Sequence, residues 1–139
     1  MTILDTNVVS ELMASTPSTI VLGWLSGIRS ADGVFITAIT VGEILYGIEL
    51  LPIGKRRSKL SADAEHMFAE DYSARILVFD ELSARAFAQI AAARRNLGRP
   101  IAELDAQIAA IARVHDASIA TRNTADFAHC GVRLVNPWE

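Results

Sequence analysis

Four acidic residues stand beyond short apolar runs or at the start of a helical pattern, and their types suit chemistry on a phosphate. Asp5 directly follows Ile3-Leu4, in Leu4-Asp5-Thr6-Asn7. Glu43 comes shortly after Val34-Phe35-Ile36, in Thr40-Val41-Gly42-Glu43. Asp105 opens Leu104-Asp105-Ala106-Gln107-Ile108-Ala109, and Asp126 lies within Thr121-Arg122-Asn123-Thr124-Ala125-Asp126-Phe127 after Ser118-Ile119-Ala120. Gathered at one place, such carboxylates repel, and at least one pKa rises strongly unless a cation joins them. Magnesium or manganese answers this, because both accept oxygen ligands and magnesium binds through one or two carboxylates plus substrate phosphates. An ion of this kind lowers the pKa of a bound water and offsets charge on an attacked phosphate. Glu43 also interrupts the apolar stretch Ile36 to Leu51, where an idle charge is costly. That favours a ligand or a helix cap over a bare surface residue.

Each position has a plainer alternative. Thr40-x-x-Glu43 has the form of a capping box, in which hydroxyl and carboxylate satisfy free N–H groups at a helix start. Asp105 in a first helical turn is what the helix dipole favours. Asp5-Thr6-Asn7 has the composition of an ordinary turn, and Asn123 to Asp126 that of a loop with a cap.

The elements that must position these residues alternate along the chain. Ile3-Leu4, Val34-Phe35-Ile36, Ile76-Leu77-Val78-Phe79, Ser118-Ile119-Ala120 and Val132-Arg133-Leu134-Val135 are strand candidates. Between them lie helical spacings such as Ile20, Trp24 and Ile28, or Leu104, Ile108, Ile111 and His115. Pro17 behind Ser15 and Thr16 reads as a first helical position, and Gly98-Arg99-Pro100 as a stop after the helix carrying Phe87 and Ile90. The polar stretch from Pro52 to Lys59 reads as a loop. Apolar runs without alternation suit strands buried on both faces, so the expectation is an α/β fold with a parallel sheet and right-handed crossovers. Such sheets collect functional groups beyond the carboxyl ends of their strands, which is where the acidic residues fall.

Composition bounds the rest. With 139 residues, the expectation is one domain spanning 1–139. Hydrophobic residues at 51% and charged residues at 21% exclude a disordered or collagenous chain. The N-terminus lacks the basic and apolar regions of a secretory signal, and no apolar run approaches the roughly 20 residues that span a bilayer. A soluble, cytoplasmic protein is expected. Cys130 is the only cysteine, which rules out an internal disulfide and a cysteine-based zinc site. A net charge of −3 makes the molecule as a whole a poor host for nucleic acid, unless basic patches or a metal supply positive charge locally. Candidate patches are Lys55 to Lys59 and the group Arg94, Arg95 and Arg99; Arg122 has the best claim to touch a polyanionic substrate because it adjoins the acidic residues. His66, His115 and His129 have no metal-ligand spacing, and His115 continues an apolar helical face. Trp24, Trp138 and Cys130 read as packing residues.

In order and spacing, these motifs resemble the PIN-domain ribonucleases that serve as toxins in toxin–antitoxin pairs. Ile3-Leu4-Asp5-Thr6-Asn7 is similar to the family's opening motif, and Thr40-x-x-Glu43-x-x-x-Gly47 to its second. Asp105-Ala106-x-Ile108-Ala109 resembles the third, while Thr121-Arg122-Asn123-x-x-Asp126-Phe127 and Asn136-Pro137-Trp138 resemble the last two. The resemblance implies a three-layer α/β/α sandwich around a parallel sheet, and magnesium- or manganese-dependent cleavage of RNA. It also implies a cognate antitoxin protein as partner, and a homodimer. Asp5, Glu43 and Asp105 match the family's acidic metal-binding positions. At the fourth, some relatives carry Asp directly after the Thr-Arg pair where this chain has Asn123, so either Asn123 or Asp126 completes the set. Thr6, Asn7 and Thr121 are candidates to support the acidic residues or meet phosphate.

Two rivals come from other classes. A phospho-accepting receiver domain also has an acidic magnesium pocket, but it needs a late lysine and none follows Lys59. A catalytically silent PIN-like binding module would keep the fold without the activity, and intact Asp5, Glu43 and Asp105 argue against it.

Overall fold

The computed structural model describes residues 1–28 and 33–139. Its five strands are β1 (Thr2–Leu4), β2 (Val34–Thr37), β3 (Ile76–Leu77), β4 (Ser118–Ala120) and β5 (Leu134–Val135), joined in the order β3-β2-β1-β4-β5. Every pairing is parallel, with Ile3 opposite Phe35 on one side and Ile119 on the other. The third and fifth candidate strands are shorter than their apolar runs: Val78-Phe79 leaves the sheet for a helix start capped by Asp80, and Val132-Arg133 precedes the pairing.

Side chains alternate across the sheet, as the pleat dictates. Leu4, Val34, Ile36 and Ala120 face one core, and Ile3, Phe35 and Ile119 the other. The first core is closed by α1 (Thr6–Met13), α2 (Thr19–Ile28), α3 (Ala38–Glu49) and α4 (Lys55–Glu70). The second is closed by α5 (Glu81–Asn96) and α6 (Glu103–Val114). This is the expected α/β/α sandwich. In α6 the run Ile108 to Ala112 is fully buried, and its small alanines let the helix lie between α5 and the sheet. The stop after α5 is a glycine device: Gly98 takes φ +71°, where other residues strain.

Several local readings need correction. Lys55 to Lys59 is not a loop but the start of α4, whose Ala64, Met67 and Phe68 form a buried stripe at i, i+3 and i+4. Its N-cap Gly54 offers no side-chain cap, so the start signal was missing. Pro17 lies two residues before α2, where Ser18 Oγ meets Val21 N at 3.4 Å instead. His115 caps the C-terminus of α6 and is exposed, because the helix ends just as the apolar face would carry it inward.

The chain order reverses at β1. After β1 it moves to β2 and β3, then crosses back to β4 and β5. The carboxyl ends of β1 and β4 therefore flank a topological switch point, where open α/β sheets leave a crevice.

Candidate active site

Asp5 leaves β1 at this crevice and serves as N-cap of α1, its Oδ1 accepting from Thr6 N at 2.8 Å. Its Oδ2 accepts from Thr121 Oγ1 at 2.8 Å and from Asn7 Nδ2 at 2.9 Å. The turn-and-cap reading is thus correct for Asp5, yet the same carboxylate lines an open cleft of about 610 Å³. Burial pushes its pKa above the ordinary range, the three hydrogen bonds pull it down, and the charge of Asp126 pushes it up again.

Thr121 follows β4 and is fully buried. While its hydroxyl donates to Asp5, its oxygen accepts from Asn123 N at 3.1 Å, which ties the next loop to the first strand. Asn7 adds a second tie, because its Oδ1 accepts from Arg122 N at 3.3 Å.

Glu43 enters from α3. The capping-box alternative fails here, since the N-cap is Thr37, whose hydroxyl accepts from Thr40 N at 3.2 Å. Glu43 Oε1 instead accepts from Thr6 Oγ1 at 2.8 Å, and Thr6 Oγ1 lies 3.0 Å from Thr40 Oγ1. A hydroxyl has one hydrogen to give. Thr6 gives its own to Glu43, so the buried Thr40 hydroxyl donates to Thr6.

Asp105 sits in the first turn of α6, which lacks a side-chain cap. No hydrogen-bond donor among the described residues meets its carboxylate. Its pKa is pushed up to about 6, by burial first and then by the charges of Asp5, Asp126 and Glu43, with Arg94 opposing. The fourth segment is a short 3-10 turn, Thr124–Phe127, anchored by the buried Phe127. Asn123 and Asp126 both line the cleft, so the structure brings the two candidates for the fourth position to the same wall.

The cleft thus gathers Asp5, Thr6, Asn7, Glu43, Asp105, Asn123 and Asp126, from four separated stretches of sequence. Thr121 stands behind it. Three further lining residues, Ser10, Glu11 and Ala14, escaped the sequence reading. Glu11 was signalled only by its place one turn beyond Asn7 on α1, and its Oε2 is engaged by Ser18 N at 3.1 Å. Arg122 is exposed, but its guanidinium lies 4.8 Å from the Trp138 ring centroid and outside the cleft lining. Arg94 does not face solvent or RNA at all, being buried at 5% exposure, whereas Arg95 and Arg99 are exposed.

The donor set is oxygen throughout, which suits a hard divalent cation and excludes a soft one. Among the described residues, no three His, Cys, Asp or Glu side chains close tightly enough around a point to hold an ion unaided. Two of the carboxylates, those of Asp5 and Glu43, are held by hydroxyl and amide donors. That spacing fits an ion that keeps several waters and takes only one or two direct carboxylates. Asp105, raised and without a donor, is the group that most lacks a cation.

Residues 2–131 match the sequence model of the PIN domain. The chain is 36% identical over 139 residues to VapC ribonuclease Y4jK of Sinorhizobium fredii, covering 100% of this chain and 99% of that protein. It is 39% identical over 138 residues to Toxin FitB of Neisseria gonorrhoeae, covering 99% of each. The crystal structure of FitAcB from Neisseria gonorrhoeae superposes with a TM-score of 0.91 at 39% identity, over 100% of this chain and 99% of that one.

Proposed function

This chain belongs to the PIN-domain family, and on that premise we propose that it is a divalent-metal-dependent endoribonuclease acting as the toxin of a toxin–antitoxin pair. The relatives named as a ribonuclease and as a toxin support the reading, since each aligns over nearly its whole length. The observation that carries it is the cleft itself. Four carboxylates from separate elements line one crevice at the switch point of the sheet, and Asp105 is pushed up to about 6 there.

In this reading Asp5 and Asp105 hold the magnesium or manganese ion, and Glu43 completes the set. The ion, when bound, supplies the positive charge that lets an RNA phosphate enter an acidic cleft and be attacked by water. The protein contributes fixed geometry. Thr121 and Asn7 hold one oxygen of Asp5, and Thr6 holds Glu43, so two carboxylates are set in place before substrate arrives. Asp126 supplies the fourth carboxylate and Asn123 a neutral polar neighbour. Arg122, stacked on Trp138 at the rim, is placed to meet RNA beyond the cleft.

The chain works as a single PIN-like domain spanning 1–139, forms a homodimer, and is held in check by a cognate antitoxin. No helix among the described residues is long and apolar enough to cross a membrane, and we place the activity in the cytoplasm. The receiver reading has no support in the site. Lys59, the last lysine, pairs with Asp63 on the exposed face of α4.

The test is incubation of a mixed RNA pool with the purified chain and manganese or magnesium, beside the same reaction in excess EDTA. Cleavage that EDTA abolishes is expected. Cleavage that persists unchanged in EDTA contradicts the metal dependence, and no cleavage by the folded, antitoxin-free protein contradicts the ribonuclease assignment.

A further inference from the structure

Arg94 is a buried cation whose partners are all neutral. It lies in the last turn of α5 at 5% exposure, and among the described residues no carboxylate forms an ion pair with it. Its guanidinium donates to main-chain carbonyls instead. Nε meets Arg99 O at 2.7 Å, and Nη1 meets Asp126 O and Ala128 O, both at 2.9 Å. The Cys130 sulfur lies 3.7 Å from the same Nη1. One side chain therefore joins the end of α5 to the turn that carries Asp126.

Locally that turn is held by two main-chain bonds, from Asp126 N to Asn123 O at 3.0 Å and from Ala128 N to Ala125 O at 3.3 Å. It is a four-residue 3-10 segment whose N-cap, Asn123, makes no side-chain cap bond. Such segments have poor hydrogen-bond geometry and depend on their surroundings. Phe127 anchors the turn to the core, but its neighbour Asp126 projects into the cleft from an exposed position. Arg94 ties the carbonyl of Asp126, the main chain from which that carboxylate projects. Burying a guanidinium among carbonyls alone is costly unless negative charge lies near. The acidic cleft supplies that charge, and Arg94 in turn draws Asp105 back toward its ordinary pKa.

We propose that Arg94 is a positioning residue for the cation site: by clamping the carbonyls of Asp126 and Ala128 it fixes the turn that presents the Asp126 carboxylate to the cleft, and so makes that carboxylate part of the set that holds a divalent cation. This rests on the reading of the cleft as a metal site. Arg113 is the natural comparison. It is half-buried and also donates to a main-chain carbonyl, that of Cys130, but it ties no residue that lines the cleft.

Titration of the full chain with Mn2+, followed by the electron paramagnetic resonance signal of the free ion, tests the proposal without relying on RNA cleavage. Arg94→Lys, shown folded by circular dichroism, and Asp126→Asn are each expected to weaken Mn2+ binding by about tenfold, the range seen when groups that orient metal ligands are removed. The double variant is expected to bind no more weakly than either single one, since both remove the same contribution. Arg113→Lys is expected to keep the wild-type affinity. A folded Arg94→Lys with wild-type affinity overturns the proposal, as does a double variant in which the two losses multiply. If Arg94→Lys does not fold, Ala125→Gly loosens the same turn from an exposed position. Weakened binding is again expected, and unchanged binding overturns the proposal. Absence of Mn2+ binding by the wild-type chain is a separate outcome, because it overturns the metal-site reading itself and the role of Arg94 with it.

Discussion

Thr121 donates its hydroxyl to Oδ2 of Asp5 at 2.8 Å, joining residues 116 positions apart at the ends of neighbouring strands. The bond exists because β1 and β4 run in register, with Leu4 opposite Ala120, so the next residue of each strand meets the other at the sheet edge. It is the largest influence lowering the pKa of Asp5. Thr121→Val, similar in shape, removes it and leaves the Asn123 N–H without its acceptor. A loss of about 1–3 kcal/mol in unfolding free energy is expected, measured by urea denaturation. In the metal-free chain the Asp5 carboxyl is expected to titrate at higher pH than in wild type, read by carboxyl carbon NMR. An unchanged titration contradicts the role given to Thr121.

The raised pKa of Asp105 fixes the sign of a pH effect on stability. The folded chain holds that proton up to about pH 6, while the unfolded chain releases it near the ordinary aspartate value of 3.8. Between those values the folded state binds more protons, so stability falls as pH rises through the window. Asp105→Asn removes this penalty. Without metal, the variant is expected to melt a few degrees above wild type at pH 7.5, with the gap closing below pH 4. Added Mn2+ is expected to raise the melting temperature of wild type but not of the variant, by binding linkage. A variant less stable than wild type at pH 7.5 contradicts the crowding of charge in the cleft.

Thr6 reaches Glu43 through a hydroxyl that the buried Thr40 in turn supports. Thr6→Val leaves Glu43 free to swing, and a fall of about tenfold in kcat is expected, with Thr6→Ser restoring most of it. The check is steady-state cleavage of one RNA by the three proteins. Equal kcat in Thr6→Val and wild type contradicts a positioning role for the hydroxyl.

The positions of Asp5 and Glu43 are legible in the sequence because each follows a strand of a parallel sheet, whose carboxyl ends converge, whereas Asp105, in the first turn of a helix that follows another helix, is legible only through its motif. The caps were less legible. Thr40-x-x-Glu43 has the right spacing for a capping box, but Thr37 caps the helix one turn earlier, and that is visible only once β2 is seen to end at Thr37. Helix α4 hid behind Pro52, Gly54 and a run of cations, because its single buried stripe begins at Ala64, twelve residues after the polar stretch starts. Arg94 could not be read at all. Its acceptors are carbonyls 32 and 34 residues away, and a main-chain oxygen leaves no mark on residue type.

The most direct measurement is RNA cleavage by the purified chain beside Asp5→Asn, both with Mn2+ and both shown folded by circular dichroism. The substitution keeps the shape of the side chain and removes its charge. Losing one anionic ligand at the centre of the cleft is expected to lower the rate by at least about a hundredfold, several kcal/mol of charge stabilisation. Cleavage by Asp5→Asn at the wild-type rate would contradict the site.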